Sequence, residues 1–245
     1  MPVLFRKKIS LGVNIDHAAT LRQVRGATTS YPDLLELAKI VQKGGGRQIT
    51  IHLREDRRHI QDADVVQLCK KSKLPINLEM AVTEEMLKVA IKNKPAWVCF
   101  VPEKREELTT EGGLNILRVF EQIKSHTGQL QSNGIKVSFF IDANPEQVSA
   151  SAMAGADAIE FHTGHWVSSE GKKKKQLWNK LKLCAQRSHD LKMRVHAGHG
   201  LDFQHAKLIK KLPYLKEVNI GHSLICYSLE LGLKKSIQKM LEKLK

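Results

Sequence analysis

The sequence predicts a closed barrel of eight parallel strands, each followed by a helix, as a single domain over residues 1–245. Three observations carry that expectation. Eight short apolar runs follow one another along the chain, separated by segments that mostly show helical spacing. Each run ends in polar or ionisable residues, as strands do when their C-terminal ends form an active-site mouth. The 245 residues, 42% of them hydrophobic, suit one (β/α)8 barrel, which commonly takes about 250. A doubly wound open sheet is the rival, but no G-x-G-x-x-G follows the first strand.

The elements follow in order. Leu11 to Ile15 is the first strand, with Asp16 and His17 at its end and a polar loop from Arg22 to Gly26. Pro32-Asp33 open a helix carrying Leu34, Leu37, Ala38 and Val41, and Gly44-Gly45-Gly46 end it. The second strand, Gln48 to Leu53, runs into His52-Leu53-Arg54-Glu55-Asp56-Arg57-Arg58-His59. A helix with Ile60, Val65, Val66 and Leu68 has Asp62 near its start, where the dipole favours a carboxylate. Ile76 to Met80 is the third strand, and Thr83 caps the helix after it. Trp97 to Val101 is the fourth, followed by a polar stretch from Pro102 to Gly113 of the length expected for a lid. A helix over Leu114 to Ser132 leads to the fifth strand, Val137 to Ile141. Asp142 to Pro145 turn into a helix that stops at Gly155. Ala158 to His162 is the sixth strand, Lys172 to His189 a basic helix, Met193 to His196 the seventh strand and Glu217 to Ile220 the eighth. The last helix places Leu229, Leu233, Ile237, Met240 and Leu244 on one face.

Composition narrows the function. The net charge is +15, but the lysines lie mainly in helical segments, and aromatics, at 5%, are not interleaved with them. That pattern describes a solvated outer face rather than a base-stacking platform, so nucleic acid is not expected as a partner. No apolar run approaches the roughly 20 residues that span a bilayer, and Met1 to Lys8 is too short for a signal peptide. Cys69, Cys99, Cys184 and Cys226 form no C-x-x-C pair and read as free thiols of a cytoplasmic protein.

Two kinds of chemistry converge on the strand ends. The turns Ala197-Gly198-His199-Gly200 and Ile220-Gly221-His222 follow strands seven and eight, where barrels bind phosphate through backbone N–H groups and helix N-termini. Arg25, Arg54 and His59 supply a second anion site, since guanidinium groups pair bidentately with phosphate. His52, Glu79, Glu160 and His199 form the proton-transfer set, because histidine titrates near neutrality and a buried carboxyl becomes a usable base. No lysine ends a strand, as a Schiff-base aldolase requires. His162, His165, His196 and His199 lack a recognised ligand spacing, so no metal is expected.

At these residues the chain resembles the pyridoxine 5'-phosphate synthases. The stretches that carry the likeness are L-G-V-N-I-D-H-A-A-T-L-R, I-H-L-R-E-D-R-R-H-I, N-L-E-M-A-V-T-E-E-M, V-P-E-K-R-E-E-L-T-T-E-G-G-L, F-I-D-A, I-E-F-H-T-G, A-G-H-G-L and N-I-G-H, in order from Leu11 to His222. The resemblance implies a (β/α)8 barrel with extra helices at subunit contacts, an octamer of identical chains, and no metal or organic cofactor. It implies condensation of 3-amino-2-oxopropyl phosphate with 1-deoxy-D-xylulose 5-phosphate to pyridoxine 5'-phosphate, phosphate and water. By motif, His52 and Glu79 correspond to proton acceptors, His199 to the proton donor and Glu160 to a transition-state-stabilising carboxylate. Asn14, Arg25, Gly200, Gly221 and His222 correspond to binders of the aminoketone phosphate. Asp16, His17, Arg54, His59 and Thr109 correspond to those of the deoxyxylulose phosphate. The chain departs from the family pattern at His196, usually Asn, at Cys226-Tyr227, usually Gly-Arg, in the loop Gly26 to Tyr31, and at Gly45-Gly46-Arg47, usually Ala-Asp-Gly. Another phosphosugar-using barrel, isomerase or aldolase, and an inactive basic barrel that binds nucleic acid are the competing readings.

Overall fold

All eight apolar runs form strands, and hydrogen bonding links them in chain order into a closed parallel barrel. The computed structural model describes residues 9–26, 28–104, 107–109 and 112–245. The expectations for Met1 to Lys8, for Ala27 in the loop Gly26 to Tyr31, and for Arg105, Glu106, Thr110 and Glu111 in the stretch after strand four, lie outside these residues. The strands are β1 (Ser10–Asn14), β2 (Gln48–His52), β3 (Ile76–Met80), β4 (Trp97–Phe100), β5 (Lys136–Ile141), β6 (Ala158–His162), β7 (Arg194–Gly198) and β8 (Leu215–Ile220). Pairing of β8 with β1 closes the ring.

Side chains alternate along each strand, and residues paired in register share a face. One face carries Leu11, Val13, Ile49, Ile51, Leu78, Val98, Phe139, Phe161, Val195 and Val218, all buried under the helices. The other face lines the lumen, and it is polar. Buried there are Gln48, Thr50, Asn77, Ser138, Glu160, His196, Glu217 and Asn219. Barrel lumens are usually filled by branched aliphatic side chains, so this one must satisfy its polar groups internally. Gln48 does so by donating to Glu217 at 2.8 Å.

Around the barrel run α1 (Asp16–Gln23), α2 (Leu34–Gly44), α3 (Asp62–Lys71), α4 (Glu84–Asn93), α5 (Phe120–Ser132), α6 (Pro145–Met153), α7 (Gly164–Ser168), α8 (Gly171–Asp190), α9 (Phe203–Ile209), α10 (His222–Leu231) and α11 (Leu233–Leu244). Local chemistry explains several ends. The Asp33 carboxylate accepts from the N–H groups of Leu35 and Glu36, and Gly45 stops α2 at φ 99°. Thr83 accepts from the Met86 N–H. Asn144 caps α6, with Pro145 at its first position.

Three expectations need correction. The helix expected over Leu114 to Ser132 begins only at Phe120. Its first residues spend their backbone donors elsewhere: Leu114 N–H bonds Phe140 O at 2.8 Å and Ile116 N–H bonds the Gln147 side chain at 2.8 Å. The last helix is two helices, because Gly232 adopts φ 74° between α10 and α11. Leu233, Ile237, Met240 and Leu244 bury a stripe of α11 as expected, but Leu229 lies on α10 and is 78% exposed. Helices α1 and α7 go beyond the helices expected after each strand. They are short, and α1 is polar, so apolar period did not reveal it.

Ile237 packs where a Cβ on Gly44 would come within 3.0 Å, so α11 seals α2 against the barrel. Ile237→Ala should therefore cost about 2–5 kcal/mol in urea unfolding. Leu229→Ala should change stability by less than about 0.5 kcal/mol. Equal losses would contradict the break at Gly232.

Candidate active site

The C-terminal ends of the strands surround one cavity of about 600 Å³. It is lined by Asn14, Asp16, His17, His52, Arg54, His59, Glu79, Glu160, His162, His199, Gly200, Asn219, Gly221 and His222, with Val101, Pro102, Leu108, Gly112, Phe140, Leu201, Ile220 and Ser223 between them. Twelve of the fourteen expected site residues are thus brought together; Arg25 and Thr109 are not part of the lining. Arg25 is exposed just past α1. The Thr109 hydroxyl is turned away, bonding the Asp142 carboxylate and the Gly113 carbonyl.

On one side the lining is a chain of oriented groups. Asn14 Nδ2 donates to Asp16 Oδ2 at 2.8 Å and to Glu79 Oε2 at 3.4 Å. Asn14 Oδ1 accepts the Asp16 N–H at 2.9 Å, and Asp16 Oδ1 accepts the His52 N–H at 2.9 Å. Burial pushes the Asp16 carboxyl up to about 6, although His52, the Asn14 amide and Arg54 oppose it. Glu79, in register with His52 on β2 and Cys99 on β4, is held well above the usual carboxylate range by burial, then by the charges of Asp16 and Glu160. Burial raises Glu160 to about 8 against the hydrogen bond from Asn219, with the charge of Glu217 adding to the rise.

His52 has a partner that the sequence did not suggest. Its Nε2 lies 2.8 Å from Glu103 Oε1, and the other oxygen of Glu103 accepts the Glu55 N–H at 3.0 Å. Burial would raise Glu103, but these bonds outweigh it and hold the carboxyl below its ordinary value. A carboxylate on one ring nitrogen fixes the tautomer and orientation of a histidine. The only sequence signal was an acidic residue in the run after strand four.

On the other side stands the Gly198-His199-Gly200 turn. His199 and Gly200 have φ of 70° and 80°, the left-handed region that glycine prefers. Thr163 secures the turn: its hydroxyl lies 2.7 Å from the carbonyl oxygen of Gly198 and 2.6 Å from that of His199. His199 rests 4.8 Å, ring to ring, from His162, which faces Asp142 at 3.4 Å. Burial, then the charges of His162 and His17, lower His199 below its ordinary value. His17 meets His222 edge-on at 4.8 Å and is lowered by burial, then by His222. His222 begins α10, so the N–H groups of that helix open toward the cavity.

Cations are unequally placed. Arg57 and Arg58 spend their guanidinium groups on Asp62, Glu85 and Asp56, as surface pairs. Arg54 reaches the cavity, with its Nε 3.4 Å from Asp56 Oδ1. Burial lowers His59 to about 4, with His52 and Arg54 adding to the effect, and its Nδ1 accepts the Ile60 N–H at 2.9 Å. Among the described residues no lysine lines the cavity.

Asp16, His52 and Glu79 place ligand atoms within 4.8 Å of one another. Burial keeps both carboxyls raised, and Glu103 holds one His52 nitrogen, so this set favours protons over a metal ion. The four histidines considered from the sequence do not assemble. His162 adjoins both His165 and His199, whereas His196 lies deeper in the lumen against Trp97, 5.6 Å ring to ring, with Glu217 at 3.7 Å.

Residues 11–245 match the family described as pyridoxal phosphate biosynthesis protein PdxJ. The chain is 57% identical over 240 residues to pyridoxine 5'-phosphate synthase of Bdellovibrio bacteriovorus, covering 98% of this chain and 100% of the relative. It is 49% identical to the pyridoxine 5'-phosphate synthase of Photobacterium profundum, covering 95% of each. Among solved structures, KGPDC from Streptococcus mutans superposes with a TM-score of 0.65 at 13% identity, over 97% of this chain and 99% of that one, which is a likeness of fold.

His196 gives the fold an acid-sensitive point. Burial lowers it to about 3, with Arg194 adding to the effect. An unfolded chain takes up that proton near pH 6.5 and the folded chain cannot, so this histidine's contribution to stability is lost as pH falls from about 6.5 toward 3, by at most about 1.4 kcal/mol per pH unit. Glu217, whose pKa burial raises, acts in the opposite sense. His196→Asn keeps Glu217 and removes the histidine, so its urea midpoint should fall less between pH 6.5 and 4.5. Parallel pH curves for the two proteins would refute the assignment.

Proposed function

The chain belongs to the pyridoxal phosphate biosynthesis protein PdxJ family, and from that premise we propose how its residues divide the reaction. Its activity is the synthesis of pyridoxine 5'-phosphate, a biosynthetic condensation with ring closure. One observation carries the residue-level reading. Three carboxyls raised by burial, two histidines of different environment and the Arg54 guanidinium share one cavity. That is the equipment for several proton transfers between two anionic substrates.

In this reading the phosphate of 3-amino-2-oxopropyl phosphate lies against Gly200, Gly221 and His222, at the start of α10, with Asn14 and Arg25 completing its contacts. The ten-residue α10 supplies free N–H groups and the positive end of its dipole there. The phosphate of 1-deoxy-D-xylulose 5-phosphate pairs with Arg54 and His59, and Asp16, His17 and Thr109 contact the same substrate. For Arg25 and Thr109 the assignment rests on the motif. The amine of the first substrate attacks the carbonyl of the second and water leaves; enolisation and elimination of phosphate follow, and ring closure onto the aminoketone carbonyl, with loss of a second water, gives the aromatic ring.

The protein's part is proton management. His52, oriented by Glu103, and Glu79 accept protons from carbon and from the attacking amine. The substrate's ammonium beside Glu79, Asp16 and Glu160 would offset the carboxyl crowding and draw their pKa values down, so binding itself prepares Glu79 as a base. His199, neutral in the free enzyme, gains affinity for a proton once a phosphate dianion adjoins it, and then donates to the leaving oxygen. Glu160 stabilises positive charge in the transition state. The reading needs no metal or organic cofactor. Assembly of several identical chains, eight by resemblance, and residence in the cytoplasm belong to the same proposal. Exposed Leu21, Val24 and Tyr31 support the assembly, and no helix among the described residues is long and apolar enough to cross a membrane.

The decisive assay mixes the protein with both phosphorylated substrates and follows pyridoxine 5'-phosphate and released phosphate. Glu79→Gln and His199→Asn should each bind substrates nearly normally and lose turnover by roughly 10²–10⁴. Near-normal turnover in either, in a single-turnover experiment at saturation, would remove that residue from the mechanism. Arg54→Ala should weaken the deoxyxylulose phosphate selectively, by about 1.5–3 kcal/mol for a charge-assisted bond; selective loss of the aminoketone would exchange the two sites. The pH profiles give a further check. The His199 limb should lie below 6.5 in kcat/KM, which reports the free enzyme, and move upward in kcat, which reports the complex. A limb that stays in place on binding would exclude His199 as the group facing the phosphate.

A further inference from the structure

Asn219 stands on β8 between two glycines. In the parallel ladder it pairs in register with Gly12 on β1 and with Gly198 on β7. Partners in register share a face, so Asn219 has no side-chain neighbour directly to either side. Both spaces are used. A Cβ on Gly12 would fall 1.9 Å from Asn219 Oδ1, and a Cβ on Gly198 would fall 2.0 Å from Glu160 Oε1. Glu160 belongs to β6, one strand beyond Gly198. Its carboxylate crosses the glycine to reach the Asn219 amide, which donates from Nδ2 to Oε2 at 2.6 Å. The other end of the amide is held as well. The Thr50 hydroxyl donates to Oδ1 at 3.2 Å, and the Asn77 amide reaches that hydroxyl at 3.5 Å. Asn219 and Glu160 are both buried and both line the cavity floor.

We propose that Asn219 is a positioning residue for Glu160: seated in the slot left by Gly12 and Gly198 and backed by Thr50, its amide holds the Glu160 carboxylate in one orientation at the floor of the cavity. The proposal rests on the reading of Glu160 as the carboxylate that meets the transition state. Without the amide the carboxylate has no donor to replace water and would shed its charge. Burial already pushes Glu160 up to about 8, and the Asn219 hydrogen bond is the opposing influence. The other titratable groups facing it all add to the pressure or stay neutral. Glu217 lies two residues away on β8, Glu79 on β3 and Cys99 on β4 interact with it across the lumen, and the neutral His196 is its register partner on β7.

The test reads Glu160 directly. An infrared pH titration follows the protonated carboxyl stretch that disappears in Glu160→Gln, in the wild type, in Asn219→Leu and in Asn219→Asp. Asn219→Leu should move the Glu160 midpoint upward by about one unit or more, since a hydrogen bond to the charged form favours that form. It should also lower kcat about 10- to 100-fold with KM within about threefold, the range for losing a bond to a charged group. Asn219→Asp keeps the size, brings a second carboxylate, and should move the midpoint further up; it also serves if the leucine variant does not fold. Asn219→Leu placed on Glu160→Gln should add little further loss of kcat. A wild-type midpoint in a folded Asn219 variant overturns the proposal, as do losses that multiply in the double variant. If Glu160→Gln keeps its turnover while the Asn219 variants shift the midpoint, the positioning stands and the catalytic reading of Glu160 falls.

Discussion

The alternation of side chains along eight closed parallel strands is the constraint on which the rest depends. It divides each strand into an apolar half, spent on packing under the helices, and a half that must fill the lumen. In this chain the lumen half is polar, from Gln48, His196 and Glu217 deep inside, through Glu160 at the cavity floor, to Glu79 nearer the mouth. Polar groups buried in a lumen are stabilised by protein partners, and most here have one, Asn77 Oδ1 and His196 Nε2 excepted. Satisfying them fixes their orientations, as in the run from Asn77 through Thr50 and Asn219 to Glu160. The rigidity that a multi-step proton-transfer site requires is thus a by-product of filling the barrel with hydrogen-bonding groups.

Fixed carboxyls in a dry place repel one another and lose charge. Asp16, Glu79 and Glu160 are all raised, with burial the first cause in each case. Glu103 and Asp142 lie close by and go the other way, because each accepts hydrogen bonds and has a histidine ring against it. Carboxyls poised to gain protons therefore line the cavity, and carboxylates committed to histidines stand next to it. Separation of pKa values by environment is what allows residues of one chemical type to serve as acid, base and anchor.

Much of this was legible in the sequence. Strand ends were readable because apolar runs stop where the mouth begins, and twelve of the fourteen expected residues do line the cavity. Positions that depend on tertiary pairing were not readable. Glu103 belongs with His52, from a loop 51 residues away, and no local pattern marks that contact. Asn219 carries no local signal of its role, which comes from glycines on two other strands. Helix α1 escaped because Asp16 opens it directly at the strand end, with too few apolar residues to show a period. His196 was grouped with the mouth histidines by chain proximity, yet β7 alternation sends it toward the lumen's depth beside Trp97.

The glycines show how close approach can matter more than turn geometry. Gly200, at φ 80°, needs its freedom for the backbone, as turn glycines usually do. Gly12 and Gly198 have no such conformation; they lie inside strands, where glycine weakens a sheet by roughly 0.5–1 kcal/mol relative to alanine. Their cost is repaid in space. Alanine at position 198 would meet the Glu160 carboxylate at 2.0 Å, and at position 12 the Asn219 amide at 1.9 Å, so neither side chain could keep its place. A glycine inside a strand that ends in an active-site mouth thus marks a spot where another strand's functional group crosses over. In this barrel the two such spots flank a single asparagine, which makes β8 the element through which β1 and β7 jointly set the orientation of a carboxylate carried by β6.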